Sequence, residues 1–423
     1  MIIYEFKVKG KDKQYRAIDE AIRTSQFIQN KCLRYWMDNK GVGRYDLNKY
    51  CAILASEFPF ADELNSMARQ SAAERSWSAI ARFYVSVAGR SPNCKKKVKG
   101  KTCTERSQSK GFPKFKKNCR SVEYKTSGWK LSPNRKAITF SDKKGIGTLK
   151  LKGTYDLNYY DIKQIKRVCL VSRADGYYAQ FAIDVNIRVE KQPTHQVVGL
   201  DLGLNYFIAD SHGNLEPSPK FYRKSEKQLN RANRKKSKKF SRDKKKAKQP
   251  QSKNYLKAKN RYARKHLRVS RQRKEYCKRL AYSVIQSNDL VAYEDLNIKG
   301  MVKKRHLAKS ISDAGWSTFR QWLEYFGHKY GKVTVAVPPH HTSQNCSNCG
   351  QKVQKSLATR THVCHHCGFV EDRDINASIN ILKLGLSTVG HTGTYATGDL
   401  PSWAIGVNLS SNGESVNVES PRL

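Results

Sequence analysis

Two Cys-x-x-Cys pairs, Cys346/Cys349 and Cys364/Cys367, are separated by 14 residues, and a glycine follows each pair, Gly350 and Gly368. A Cys-x-x-Cys turn sets two thiolates on one face of a tetrahedron, and glycine there permits the positive φ that such a knuckle needs. The spacing predicts a small ribbon around one structural Zn²⁺, with no open coordination position and so no chemistry of its own. A ribbon of this size folds only with its metal. His365 and His366 are alternative ligands by type, but four cysteines already fill the shell. The chain has 11 cysteines. An odd number in a chain with no visible secretory signal reads as metal binding rather than a disulfide framework. Cys94, Cys103 and Cys119 lack the paired spacing and read as free thiols.

Charge is the next constraint. Lys and Arg number 81 against 35 Asp and Glu in 423 residues, a formal net charge of +46. Self-repulsion on that scale gains a soluble monomer nothing, so a polyanionic partner is expected, and nucleic acid is the usual one. Between Lys220 and Arg279, 27 Lys and Arg face only Glu226, Asp243 and Glu275, which concentrates over half of the net charge in one stretch. From Leu384 onward one Arg faces three acids in a segment rich in Gly, Ser, Thr and Asn, read as a flexible tail. No apolar run reaches the length of a transmembrane helix. The start, Met1 to Phe6, is not a charged region followed by an apolar stretch. A cytoplasmic, nucleoid-associated location is expected, with no membrane partner.

The length suggests about three domains. Residues 1–10 alternate as a strand. Ile18, Ile22, Ser25, Ile28, Cys32 and Tyr35 recur at helical spacing, and Leu47, Tyr50, Cys51 and Leu54 suggest a second helix. A third helix, with Asp62 as its cap, is expected through Leu64, Met67, Trp77, Ile80 and Tyr84. Residues 89–120 form a basic connector, and 121–190 are strand-like. Val197 to Asp201 is a short apolar strand ending in a carboxylate, with a return strand from Leu204 to Asp210. The second half of the basic stretch reads as a long helix with a cationic back. Leu290 to Glu294 is again an apolar strand ending in a carboxylate. Ile311 to Gly331 is expected to be helical, Val333 to Val337 a strand, and Asp374 to Leu384 a short helix. This is an α/β order with a mixed sheet, the order of the RNase H-like fold.

The carboxylates carry the chemistry. A buried acid at a strand end costs several kcal/mol unless it binds something. Asp374 opens a helix, where the dipole favours an anion. Three acids brought together would raise one another's pKa, and bound divalent cations remove that problem. Mg²⁺ prefers oxygen ligands, so three carboxylates suffice for two ions. By type alone, Asp201 could be a turn residue before Leu202-Gly203. Either Glu294 or Asp295 could be a cap, and Asp374 competes with Asp372.

About residues 195–385, these features together resemble the transposon-encoded TnpB proteins, compact RNA-guided nucleases of insertion sequences that are related to the type V CRISPR effectors. The carrying segments are Gly199-Leu200-Asp201-Leu202-Gly203, Tyr293-Glu294-Asp295-Leu296, Ser310 to Trp316, Thr342-Ser343-Gln344-x-Cys346-x-x-Cys349-Gly350, Cys364-x-x-Cys367-Gly368 and Asp372-Arg373-Asp374-x-Asn376-Ala377. The resemblance implies an α/β multidomain chain. Residues 1–12 would be the first strand of a wedge-like β-barrel and 13–95 a helical recognition domain, with the rest of the wedge at 96–192. Residues 193–340 would be the first part of an RNase H-like (RuvC) nuclease with a basic helical insertion, followed by an inserted target-binding zinc ribbon at 341–370. The last nuclease helix would be 371–385 and the tail 386–423.

It further implies a RuvC-type catalytic triad of Asp201, Glu294 and Asp374 holding two Mg²⁺ ions, with Glu294 preferred to Asp295 and Asp374 to Asp372. One structural Zn²⁺ would sit on Cys346, Cys349, Cys364 and Cys367. Arg360 would lie near the scissile phosphate as a lid. Nucleic-acid contacts are assigned to Arg69, Gln70, Lys235, Lys236, Arg264 and Arg268. The implied partners are an omega-type guide RNA from the transposon end and double-stranded target DNA cut beside a short transposon-associated motif, with the protein a monomer on its RNA. A nuclease-dead RNA-guided repressor and a miniature type V CRISPR effector are the neighbouring readings.

Overall fold

The computed structural model describes residues 1–88, 112–247, 249–356 and 359–389. Cys94, Cys103, most of the predicted basic connector and the tail beyond residue 389 lie outside them. The chain divides into two compact units, Met1–Val185 and the remainder from Asn186.

The first unit combines helices with an all-antiparallel seven-stranded sheet. The strands are β1 (Ile2–Lys9), β2 (Ser121–Lys125), β3 (Trp129–Leu131), β4 (Ala137–Phe140), β5 (Gly147–Lys152), β6 (Ile165–Arg173) and β7 (Gly176–Ile183), in the order β2-β6-β7-β1-β5-β4-β3. The first strand is thus inserted between strands more than 140 residues later in sequence, pairing Phe6 with Ala179 and Lys7 with Lys152. The helix Asp12–Asp38 buries Ile18, Ile22, Ser25, Ile28 and Cys32, the face predicted from their spacing. The cap is a correction. Asp62 ends a four-residue turn, Pro59–Asp62, and pairs with Lys143 and Arg69. The long helix begins at Ser66, where Asn65 Oδ1 accepts the Met67 N–H. Both residues are good caps, and the turn at Pro59 uses up Asp62.

The second unit holds a five-stranded sheet: β8 (Val197–Asp201), β9 (Tyr206–Asp210), β10 (Leu215–Pro217), β11 (Leu290–Glu294) and β12 (Val333–Val337), ordered β10-β9-β8-β11-β12. β8 and β9 form an antiparallel hairpin, while β11 runs parallel to both β8 and β12. The apolar runs of β8 and β11 lack alternation because both faces of the sheet are covered. Val198, Leu200, Val291 and Tyr293 pack on one face beneath Cys277, Ala281 and Ile285 of the helix Lys253–Ser287, and Phe319, Trp322 and Phe326 of the helix Trp316–Tyr330. Val197, Leu290 and Ala292 point the other way, onto Ile381 and Leu386 of the helix Arg373–Thr388.

Two further differences from the sequence reading have local causes. The basic stretch contains a second helix, Phe221–Lys238, which packs on Lys253–Ser287 while burying little beyond Leu229 and Ala232. The segment expected to be one helix from Ile311 is two, Ala308–Ala314 and Trp316–Tyr330, because Gly315 turns the chain at φ +79°.

The last helix lies directly on the sheet. A Cβ on Gly199 would come within 2.1 Å of the Ser378 carbonyl oxygen and 2.7 Å of the Leu382 nitrogen. At Gly385 the approach is reciprocal, since a Cβ there would come within 2.5 Å of the Ala292 Cβ. Backbone cannot yield there as a flexible side chain can. Gly199→Ala is therefore expected to destabilise the second unit by about 2–3 kcal/mol, in the range of overpacked cores. A lowered urea midpoint at unchanged slope would report it.

Candidate functional site

Strand parity brings the acids to one side. Along β8, Val197, Gly199 and Asp201 share a face. Along β11, Leu290, Ala292 and Glu294 share that same face. The register pairs Leu290 with Val197 and Ala292 with Gly199, so the two carboxylates end adjacent parallel strands side by side. The Arg373–Thr388 helix covers this face and carries Asp374 in its first turn. Glu294 is 8% exposed, Asp374 is 6% exposed and Asp201 is half-buried.

Electrostatics register the convergence. The Asp201 carboxyl is raised well above the usual carboxylate range, first by desolvation and then by the charges of Glu294 and Asp374. Burial also raises Glu294, against a hydrogen bond donated by the Thr342 hydroxyl to its Oε1. Two guanidiniums meet Asp374. Arg373 lies 2.9 Å from Oδ1 and Arg360 Nη1 lies 3.5 Å from Oδ2.

The ambiguous neighbours separate for physical reasons. Asp295, one residue past the end of β11, turns away from Glu294 and pairs with Arg320, which also holds Glu324 at 2.8 Å. Asp372 is the helix cap, its Oδ1 accepting the N–H groups of Asp374 at 2.8 Å and Ile375 at 3.3 Å.

The four cysteines meet in a second cluster. Their sulfurs all lie within 4.8 Å of one another, with Cys346 Sγ 3.7 Å from Cys367 Sγ and Cys349 Sγ 3.6 Å from Cys364 Sγ. The two knuckles are built alike. Gly350 N–H donates to Cys346 O and Gly368 N–H to Cys364 O, both at 2.9 Å, with φ of +76° and +75° at the glycines. The Cys367 thiol is drawn down to about 6, first by the Phe369 backbone N–H. Such a thiol cluster could hold a metal ion. His365 and His366 are exposed and outside it.

Of the residues assigned to nucleic-acid contacts, Lys235, Arg264 and Arg268 lie exposed on the two basic helices, and Lys236 sits over the Tyr262 ring at 4.5 Å. Arg69 donates to Ala61 O and to Asp62, and Gln70 is half-buried on the same helix. Among the described residues, no helix is long and apolar enough to cross a membrane.

Two family models match the second unit and the end of the first. One described as "Probable transposase" (OrfB_IS605) covers residues 180–305, and one described as "Cas12f1-like, TNB domain" covers 316–381. A protein of Streptomyces pristinaespiralis named "Putative RNA-guided DNA endonuclease" is 35% identical over 196 residues, 46% of each chain. "TnpB-like protein L79" of Acanthamoeba polyphaga mimivirus is 32% identical over 125 residues, 28% of this chain and 24% of that one. The matched part of the chain is similar to the TnpB-like proteins. It spans less than half the length of these two relatives. Cas12f1, solved in complex with sgRNA and target DNA, shares the fold at a TM-score of 0.51 and 15% identity, over 88% of this chain and 83% of that chain.

Sequence reasoning gave no individual role to Thr342, Asn376 or Asn380. Asn376 accepts from Ser347 N–H and donates to Asn345 O, both at 2.8 Å, and Asn380 donates to Thr342 O at 2.9 Å. For Thr342 and Asn376 their place in the quoted motifs was the available signal, Asn380 lies outside those motifs, and the partners of all three lie about 30 residues or more away. Removing the cap by Asp372→Ala is expected to cost about 1 kcal/mol and to loosen the first turn that carries Asp374. Faster amide exchange confined to that turn would check it.

Proposed function

We propose that this chain is an RNA-guided DNA endonuclease of an insertion sequence, hydrolysing phosphodiester bonds at Asp201, Glu294 and Asp374. The observation that carries the reading is the approach of Glu294 and Asp374, from two other elements, to Asp201 on one sheet face, where both add to the cost of ionising it. A fold gains no stability from that arrangement, whereas a divalent-cation site requires it. The antiparallel hairpin followed by parallel strands, with the last helix across them, supports an RNase H-like (RuvC) nuclease unit.

The residues fit the two kinds of metal. All-oxygen donors suit Mg²⁺. Zn–S bonds of about 2.3 Å in a tetrahedron require sulfurs about 3.8 Å apart, close to the separations of 3.6 and 3.7 Å here. Cys346, Cys349, Cys364 and Cys367 would hold one structural Zn²⁺, and the three acids two Mg²⁺. Bound there, the magnesium pair would supply activation of a water and stabilisation of the leaving oxygen. The chain's own part is to hold the carboxylates. Asp201 and Glu294 are fixed by β8 and β11, and Asp374 by the helix that Asp372 caps. Arg360, half-exposed and 3.5 Å from Asp374, would meet the scissile phosphate. Lys235, Lys236, Arg264 and Arg268 would grip the backbones of an omega-type guide RNA and a target duplex, with one protein monomer per RNA. Arg69 and Gln70 are assigned to the recognition of the motif beside the target.

Asp201→Ala is expected to abolish cleavage in Mg²⁺ while leaving the co-purified RNA bound, measured by single-turnover cleavage and by RNA retention on the column. Cleavage by that variant would overturn the site. RNA binding with no cleavage by the unaltered chain would instead favour a nuclease-dead binder. RNA affinity is also expected to fall steeply with salt, and Arg264→Ala and Arg268→Ala should each lower the salt slope by about 1. A filter-binding series across salt concentrations measures that slope.

A further inference from the structure

Thr342 stands at a junction between the two clusters. It is 5% exposed and its hydroxyl donates to Glu294 Oε1. Its carbonyl accepts from Asn380 Nδ2 at 2.9 Å, and that same amide donates to Asn345 O at 2.8 Å. One helical turn earlier, Asn376 is fully buried and holds both Asn345 O and Ser347 N–H. One turn later, Lys383 donates to Ser347 O. Positions 376, 380 and 383 form a single stripe on the helix that begins with Asp374. That stripe grips the segment from Thr342 to Ser347, which includes Cys346 of the four-cysteine cluster.

We infer that Thr342 is a positioning residue that sets the Glu294 carboxylate relative to Asp374, with the Asn376–Asn380–Lys383 stripe and the first cysteine knuckle as its anchor. The reasoning is geometric. The last torsion of a glutamate is broad, so its strand fixes where the carboxylate sits but not how it turns. A donated hydroxyl fixes the turn. The donor is itself tied by its backbone to the helix that carries the third acid. A cation held by these acids would bind more tightly to a carboxylate whose orientation is already set. This inference rests on the proposed divalent-cation site.

The test uses the full chain with its co-purified RNA and compares Thr342→Val, which keeps the shape and removes the hydroxyl, with Thr342→Ser, which keeps the hydroxyl. Mn²⁺ binding, read by electron paramagnetic resonance, serves as a probe independent of cleavage. The Mg²⁺ concentration for half-maximal cleavage is the second readout. Zinc content and melting temperature report the fold. Thr342→Val is expected to weaken Mn²⁺ binding and raise the Mg²⁺ requirement about tenfold or more, the loss of one hydrogen bond to a charged group, at unchanged zinc content. Thr342→Ser is expected within about threefold of the unaltered chain.

Unchanged Mn²⁺ affinity in Thr342→Val would overturn the inference. So would a Thr342→Ser variant as defective as Thr342→Val, or loss of zinc or of folding in Thr342→Val, since each assigns the residue a packing role. Asp201→Ala separates this inference from the reading beneath it. If that variant binds Mn²⁺ as well as the unaltered chain, the acids are not a cation site and the nuclease reading fails. If it loses Mn²⁺ while Thr342→Val keeps it, only the role of Thr342 fails.

Discussion

The second unit depends on the absence of two Cβ atoms. Gly199 and Gly385 let the last helix lie on β8 and β11 at backbone distance. A helix packed through ordinary side chains stands further off a sheet, and its first turn would then stand further from the strand ends. Close approach brings Asp374 into electrostatic contact with Asp201, on which Glu294 also acts, and both charges oppose ionisation of Asp201. Packing that forces like charges together is stable only while something offsets them. Part of that offset falls to Arg373 and Arg360 on Asp374. A cation placed among the acids would compete with those guanidiniums for the same oxygens.

Parity decides which acids take part. A strand presents alternate residues to opposite faces, so Glu294 and Asp295 cannot both face the helix. Asp295 turns away to Arg320, in a network with Glu324 and Tyr293 that is mostly surface charge. Asp372 and Asp374 divide in a similar way. A side chain that caps a helix turns back to the first-turn N–H groups and is used up there. The next acid but one is left to point across the sheet.

The legible part of this chain was the part with local signals. Apolar runs ending in Asp201 and Glu294, two paired cysteine turns and the face from Ile18 to Cys32 all carry their meaning within a few residues. Strand ends and a helix start singled out Asp201, the Glu294–Asp295 pair and the Asp372–Asp374 pair, and the resemblance to the TnpB proteins was what preferred Glu294 and Asp374. Other features were hidden for stated reasons. The Phe221–Lys238 helix is polar on nearly all sides, so no apolar stripe announced it. Gly315 reads as a tolerated helix glycine until its φ is known. Asp62 and Asn65 are both acceptable caps, and only the turn at Pro59 separates them. Thr342, Asn376 and Asn380 act on partners about 30 residues or more away, and no spacing rule reaches that far.

The insertion of the cysteine ribbon between β12 and the last helix follows from these constraints. Its own apolar core is Val353, Cys346 and Cys364 with Phe369 against them. That is too small to fold without a staple. A segment that a metal on the cysteines would hold at one end, and that an asparagine stripe holds at the other, would have little freedom between. Thr342 lies in that span, next to an acid that its own strand leaves free to rotate. The ribbon contributes no acid to the centre. By fixing the path of residues 342–347 it limits how the chain enters the helix that carries Asp374, so the order of the cysteine cluster and the order of the carboxylates are parts of one packing problem.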